Sequence, residues 1–207
     1  MTVIIKDKIF WSGLVLAHLG IFASYYSVRG FWGTYTAASA CLAVFALFAG
    51  EPRSIRFPFR KFMIGILSGL ILYGIFYAGL TLLTFLNIDL AQAADQLYLF
   101  YKPEVLWQYL VLVLLLIPAE ELFWRSFIQG RLSRHFPGHV CILLSSLLYT
   151  LPMFYSKNAA MVLAGLTAGL LWGILFQRTR SLGVVIVSHL TFDIFLLILL
   201  PLESGQH

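Results

Sequence analysis

The chain has 207 residues, of which 60% are hydrophobic and only 11% are charged. Apolar stretches long enough to cross a bilayer recur from one end to the other, which excludes an ordinary soluble domain and predicts an all-α, polytopic membrane protein. A net charge of +5 would suggest nucleic acid as the partner of a soluble protein. In a membrane chain the excess of basic residues records topology instead, so we expect no nucleic-acid partner.

Hydropathy predicts seven transmembrane helices, and no polar stretch between them is long enough to fold separately. We therefore expect a single integral membrane domain over residues 1–207. The first apolar run contains His18 and lacks a compact small-residue cleavage site, so it is predicted to be a retained helix. Cys41 and Cys141 both fall within predicted helices and suggest neither a disulfide nor a metal motif. The predicted helices cover about residues 9–28, 32–50, 62–86, 105–130, 139–156, 159–177 and 182–201.

The loops between these helices carry basic residues mainly on one side. By the positive-inside rule that side is cytoplasmic, which predicts a cytoplasmic N-terminus and an external tail at Glu203–His207. The opposite side receives only Arg29, Lys102 and Lys157. The basic side collects Lys6, Lys8, Arg53, Arg56, Arg60, Lys61, Arg131, Arg134, Arg178 and Arg180.

Two further segments are predicted to shape the bundle. Residues 87–102 mix acidic and aromatic side chains, which favours an interfacial loop or an amphipathic helix that covers a site. Small residues that recur every four positions let helices approach closely. Such a stripe occurs in the sixth predicted helix at Gly165, Gly169 and Gly173, and Gly65 and Gly69 in the third helix are interpreted in the same way, as packing without chemistry.

The fourth predicted helix carries two adjacent carboxylates and an arginine in an otherwise apolar run. Each ionisable group near the bilayer centre costs roughly 2.5–3.5 kcal/mol, so three together need partners or a function. Glu121 and Arg125 are four residues apart and are predicted to form an ion pair. Glu120 points about 100° away and lacks that partner, which suits a general base or acid. Pro118 is expected to kink the helix, free the carbonyl of Leu114 and make room for a water.

A second polar pair lies in the last predicted helix, where His189 and Asp193 share one face. Asp193 can accept from one ring nitrogen and leave the other aimed at a substrate or at Glu120. Counted from the same membrane face at 1.5 Å per residue, Glu120 lies roughly 15 Å deep, His189 about 10 Å and Asp193 about 16 Å. We therefore expect the two clusters to meet. The alternative without catalysis is an intrahelical ion pair, a second acid bonded to a neighbouring helix, and a histidine satisfied by its own aspartate.

At these residues the chain resembles a known family. Glu120-Glu121-Leu-Phe-Trp-Arg125 fits the EExxxR signature, and His189-Leu-Thr-Phe-Asp193 fits the HxxxN/D signature, of the CPBP or "Abi" family of CAAX prenyl proteases and bacteriocin-processing proteins. Ser145-Ser146-Leu-Leu-Tyr149 occupies the position of the family's helix between them. The resemblance covers roughly residues 105–200, and the predicted helices over 9–86 carry no matching motif.

The resemblance implies a glutamic-type intramembrane protease. In that family the residue matched by Glu120 activates water, those matched by Glu121 and Arg125 organise the site, and those matched by His189 and Asp193 stabilise the oxyanion or assist proton transfer. Its substrates are lipidated or membrane-anchored proteins or peptide precursors, and we expect a bacterial cytoplasmic membrane. One histidine among carboxylates is a poor zinc site, so we expect no metal and no cofactor.

One departure from the family concerns its middle motif, an aromatic residue followed four positions later by histidine. Here the stretch is Tyr149-Thr-Leu-Pro-Met153, and a methionine can neither shuttle a proton nor orient a water. His135 and His139 lie in the preceding loop and are not expected to substitute. The phenol of Tyr149 is one candidate proton donor; the alternative is a core or interfacial tyrosine.

Two other functions stay open at this point. A non-catalytic relative could bind a membrane peptide, a lipid or a partner protein through the same cavity, and Met153 is its main support. A proton-coupled transporter could use Glu120, His189 and Asp193 as a relay. Against the transporter, the sequence has neither an inverted repeat nor paired broken helices in corresponding halves.

Overall fold

The computed structural model describes residues 2–27, 30–50 and 58–202, and within these ranges it contains helices and no β-strand. Seven helices are long and apolar enough to cross a membrane, which confirms the all-α prediction. Arg29, Arg53, Arg56 and the Glu203–His207 tail, on which part of the sidedness prediction rests, lie outside the described residues. In chain order the seven spans are Lys8–Tyr26, Phe31–Ala49, Phe59–Phe85, Leu106–Leu132, Gly138–Ser156, Ala159–Thr179 and Leu182–Leu199.

The outside of the bundle is apolar, as a lipid-facing surface must be. Large aliphatic and aromatic side chains are exposed there, including Leu47 at 69% and Leu114 at 72% of their full accessible area. In contrast, the fully buried positions include charged and polar groups, among them Glu121, Arg125 and Gln129. These charged and polar groups therefore lie inside the bundle while large apolar side chains face outward, because lipid cannot satisfy polar groups.

The fourth span stays helical from Leu106 to Leu132 but changes its winding twice. Two π-helical segments, Leu112–Leu116 and Leu122–Gln129, flank a short α-helical stretch at Ile117–Glu121. Pro118 lies at the start of that stretch, where its missing N–H is accommodated by the change in winding. The proline therefore acts through π-helical segments, which often occur at functional sites.

Glycines allow the third and seventh spans to pack backbone to backbone. A Cβ added at Gly65 would lie 2.7 Å from the Val187 side chain, and one added at Gly69 would lie 2.4 Å from the carbonyl oxygen of Ser188. These approaches leave no space for any side chain. The packing role predicted for both glycines is confirmed, and the contact fixes the height and rotation of the helix that carries His189.

The glycine stripe of the sixth span packs in the same way against the fifth span. A Cβ at Gly169 would lie 3.1 Å from Cδ1 of Tyr149, and one at Gly165 would overlap the sulfur of Met153. The predicted packing role is again confirmed. Because Tyr149 is seated on Gly169, its hydroxyl is held at a defined position in the bundle.

The segment between the third and fourth spans forms a helix at Leu90–Tyr101, which is the helical one of the two predicted alternatives. It is tied to the rest of the bundle by Tyr98, whose hydroxyl donates to the carbonyl of Leu196 at 2.9 Å. In the same helix, the backbone carbonyl of Ala93 accepts from the side-chain amide of Asn158 at 2.8 Å. This helix therefore packs against the bundle through hydrogen bonds at both ends of its length.

One end of the bundle is joined by a pair of charged residues. Arg131, at the end of the fourth span, pairs with Asp7 and also donates to the carbonyl of Ala49 at 2.9 Å. Asp7 caps the first span by accepting from the backbone N–H of Phe10 at 3.0 Å. Partial burial would raise the pKa of Asp7, but these hydrogen bonds and the charge of Arg131 lower the pKa overall. The ends of three spans are thereby held together.

The close contact at Gly69 predicts that alanine substitutions at two glycines of the third span change the stability of the protein by very different amounts. Gly69→Ala should destabilise the protein by about 1–3 kcal/mol, because the new methyl group overpacks a backbone contact. Gly74→Ala should be neutral or stabilise by up to about 1 kcal/mol, because nothing lies within 4 Å of its Cβ and alanine favours helix. Thermal unfolding in detergent micelles measures both, and equal unfolding temperatures for the two variants would contradict the packing assigned here.

Candidate active site

Glu120 lies between two phenols that come from different spans. The hydroxyl of Tyr35, in the second span, donates to Oε1 at 2.5 Å, and the hydroxyl of Tyr149, in the fifth span, donates to Oε2 at 3.2 Å. Among the residues that the structure describes, Glu120 has no ion pair of the kind that its neighbour makes, as predicted, but it does have hydrogen-bond partners. Each of its carboxylate oxygens accepts from one neutral donor, which leaves further lone pairs available.

Glu121 is fully buried and shares its carboxylate between two cationic or polar partners. Oε2 accepts from Nε of Arg125 at 3.2 Å, which confirms the predicted ion pair along the helix. Oε1 lies 2.8 Å from Nδ1 of His189 in the seventh span. An ionised carboxylate only accepts hydrogen bonds, so Nδ1 carries the proton in this contact. The two polar clusters therefore meet, as their matching depth predicted.

The orientation of the His189 ring differs from the prediction. We expected Asp193 to hold one ring nitrogen while the other faced a substrate or Glu120; instead Glu121 holds Nδ1, and Nε2 lies 3.6 Å from Oδ2 of Asp193. That separation exceeds a normal hydrogen bond, so Nε2 is the nitrogen left to turn toward a substrate oxygen. The ring is further fixed by Trp172, which stacks on it with centroids 3.8 Å apart.

A small cavity of about 10 Å³ lies directly beside Glu120. This is close to the space that one water molecule requires, provided that two or more polar groups line it. Polar groups do line it, because Tyr35, Ser39 and Glu120 share the cavity wall with Trp124. The room for a water that the sequence attributed to a proline kink is thus found at the meeting point of the second and fourth spans.

The buried arginine connects the two halves of the site. Nη1 and Nη2 of Arg125 have no hydrogen-bond partner among the described residues, and the guanidinium carbon lies 5.2 Å from the centre of the Tyr149 ring. A cation over an aromatic face is attracted by the ring quadrupole. Arg125 therefore joins the Glu121–His189 contact to the phenol that binds Glu120.

Met153 does not offer a replacement for histidine chemistry. It lies in a 3₁₀-helical segment, Leu151–Ser156, and its thioether packs against the bare backbone of Gly165. The hydroxyl of Tyr155, two residues later, lies 2.9 Å from Nδ1 of His18. A histidine of the first span therefore does reach this segment. The position that the resemblance would align with the family's histidine is used here for packing.

Sequence analysis missed two residues that contact the site. Tyr35 lies in a span without any family motif, and no local spacing distinguishes it from the other aromatic residues of that helix. Trp172 lies beside the glycine stripe of the sixth span, whose small residues were interpreted as packing alone. Its indole also donates to the hydroxyl of Ser188 at 3.3 Å. An aromatic residue among small ones was the available signal for Trp172.

The side chains that could bind a metal ion are not clustered in the described part of the chain. Over residues 2–27, 30–50 and 58–202, no group of three or more histidine, cysteine, aspartate or glutamate side chains is arranged to hold a metal ion.

The ion pair inside the bundle predicts a strong effect on stability. Arg125→Met should destabilise the protein by about 3–5 kcal/mol, because it leaves Glu121 buried without its arginine. Adding Glu121→Gln to the same chain should recover part of that loss, since the uncompensated charge disappears. Thermal unfolding in micelles is the measurement, and Arg178→Met, at an exposed arginine near the end of the sixth span, is the control. An Arg125→Met protein as stable as this control would refute the assigned pairing.

Comparisons with known proteins were made for the whole chain. Residues 102–195 match the family model described as type II CAAX prenyl endopeptidase, Rce1-like. The matched stretch contains both motifs, from Glu120 to Asp193, and does not include Tyr35. No match was found among curated proteins or among solved structures. Over residues 102–195 the chain is therefore similar to the Rce1-like family of type II CAAX prenyl endopeptidases, which agrees with the resemblance of its two motifs.

Proposed function

We propose that this protein is an intramembrane endopeptidase in which Glu120 activates the water that cleaves a peptide bond. One observation carries the proposal: the Glu120 carboxylate borders a water-sized cavity and accepts from two neutral phenols, whereas the adjacent Glu121 is paired with Arg125 and His189 and does not line that cavity. Of the two acids, Glu120 is thus the one able to accept a proton from water. The match of residues 102–195 to a protease family model supports this assignment.

The proposed reaction needs only the groups of this chain and one water. Glu120 takes a proton from the water as its oxygen attacks the scissile carbonyl carbon, which gives a tetrahedral intermediate. The same carboxyl then returns the proton to the leaving nitrogen as the carbon–nitrogen bond breaks. The products are a new carboxylic acid, which keeps the second proton of the water until it ionises, and a new amine, and Glu120 ends the cycle in its starting state. General acid–base work of this kind contributes roughly 10²–10⁴-fold to a rate.

We assign stabilisation of the oxyanion to His189, with Asp193 as its support. The ring is anchored at Nδ1 by Glu121 and on its face by Trp172, which leaves Nε2 facing the substrate. Because Nδ1–H donates to Glu121, Nε2 acts as a donor in the imidazolium form, which carries a proton on both nitrogens. A donor fixed in advance in a dry site needs no reorganisation when the negative charge develops. The negative charge of Asp193, 3.6 Å from Nε2, stabilises this imidazolium before the reaction starts, so no proton has to reach His189 during the step. Glu121 and Arg125 serve to organise this arrangement.

The proposed substrate is a membrane-anchored or lipidated protein or peptide precursor. The family description reads CAAX prenyl endopeptidase, and an active centre inside a bundle of seven apolar helices favours a substrate that reaches it from the bilayer. We propose a bacterial cytoplasmic membrane as the protein's location, and the distribution of basic residues supports a cytoplasmic N-terminus. The 1–207 chain is proposed to act as one integral membrane unit.

A second candidate function has one specific observation in its favour. Met153, at the position of the family's histidine, is committed to packing against Gly165 and has no proton to give. A relative that binds a membrane peptide or partner protein through the same cavity, without cleaving it, would tolerate that change. This alternative predicts that the acidity of Glu120 is dispensable.

Glu120→Gln should abolish cleavage while the protein still inserts and folds. The assay uses purified protein in liposomes with an internally quenched, farnesylated CAAX peptide, and the rate should fall by about 10²-fold or more because the base is gone. Glu104→Gln, at an exposed glutamate of the loop before the same span, is the matched control and should leave the rate unchanged.

Met153→His in the same assay separates the two candidate functions. The protease is supported if the wild-type protein cleaves the peptide and cleavage is lost in Glu120→Gln but not in Met153→His. A wild-type protein that binds the peptide without cleaving it, with equal binding by Glu120→Gln and cleavage only after Met153→His, would support the non-catalytic relative.

A further inference from the structure

Tyr35 belongs to the second span, outside the stretch that matches the protease family, yet it makes the shortest contact to Glu120. Its hydroxyl donates to Oε1 at 2.5 Å, whereas the Tyr149 hydroxyl is 3.2 Å from Oε2. A phenol has one proton to donate, and here that proton is directed at a carboxylate rather than at a backbone carbonyl. Hydrogen bonds to charged groups are among the stronger ones in proteins.

The ring of Tyr35 is held independently of Glu120. It stacks on Phe31, one helical turn earlier, with centroids 5.2 Å apart and planes 12° apart. Phe31 is buried and in turn packs against Tyr101 of the 90–101 helix, with centroids 4.7 Å apart. The phenol is therefore supported by two elements that carry no family motif, and its position does not depend on the carboxylate that it contacts.

Tyr35 also forms part of the wall of the cavity beside Glu120. With one phenol on each carboxylate oxygen, the Glu120 side chain can neither rotate about its last bond nor withdraw from the cavity without losing a hydrogen bond. Small errors in the position of a catalytic group cost a large part of the rate, so such a restraint has a direct consequence for catalysis.

We propose that Tyr35 is a positioning residue of the active site: its hydroxyl holds the Glu120 carboxylate against the cavity in which the attacking water binds. This inference rests on the proposed function, in which Glu120 is the base. It gives the second span, which precedes the matched stretch, a part in the chemistry. Residues 102–195 alone therefore do not form the complete site. Tyr149 completes the restraint from the fifth span.

The test compares Tyr35→Phe with Tyr73→Phe. Both variants lose only a phenol hydroxyl; Tyr73 donates to the carbonyl of Leu200 at 2.9 Å, away from the site. Tyr35→Phe keeps the ring that stacks on Phe31, so its thermal unfolding should stay close to that of Tyr73→Phe. For cleavage of the farnesylated peptide, kcat should fall by about 10- to 100-fold in Tyr35→Phe, the worth of a hydrogen bond to a charged group, with KM unchanged. Tyr73→Phe should alter neither.

A spectroscopic readout does not depend on turnover. The infrared difference between wild type and Glu120→Gln isolates the Glu120 carboxyl band, and the same difference taken in the Tyr35→Phe background should show that band shifted. Tyr149→Phe should shift it as well, and Tyr73→Phe should not. An unshifted band in Tyr35→Phe, or a shifted band with unchanged kcat, overturns the role of Tyr35 while wild-type cleavage leaves the proposed function standing. A wild-type protein that never cleaves overturns the proposed function, and the role of Tyr35 with it, even where the band shifts.

Discussion

The structure depends on the burial of one carboxylate, Glu121, at the contact of the fourth and seventh spans. A fully buried charge in an apolar bundle is tolerated only when its partners and hydrogen bonds replace the lost water. Arg125 supplies the opposite charge from the same helix, and His189 supplies the second hydrogen bond from another. This shared carboxylate fixes the rotation of both helices and thereby sets where the rest of the polar site can lie.

Close helix packing allows these polar groups to meet. Gly65 and Gly69 bring the third span against the backbone of the helix that carries His189, and Gly169 seats the ring of Tyr149. In lipid there is no hydrophobic force between helices, so such contacts and the polar bonds between spans carry the association. The two carboxylates therefore have different roles. Glu121 holds two helices together, while Glu120, one residue earlier, faces a cavity and accepts from neutral donors.

Much of this arrangement could be predicted from the sequence, for reasons tied to particular residues. Hydropathy gave the seven helices within a few residues, and the four-residue spacing gave the Glu121–Arg125 pair. Counting depth predicted that His189 would meet the acids, but the expected contact with Glu120 was wrong and Glu121 is the partner, because a depth count contains no helix rotation. Tyr35 could not be found, since its partner is 85 positions away in the chain and nothing local marks it.

The most direct test of the central claim is an experimental structure of the wild-type protein in lipid, at a resolution that shows ordered waters. We predict one water in the cavity between Tyr35 and Trp124, within hydrogen-bond distance of the Glu120 carboxylate. A water there would show that Glu120 has its co-reactant in place. A dry cavity closed by apolar side chains, or a Glu120 carboxylate turned away from it, would contradict the account of Glu120 as the base.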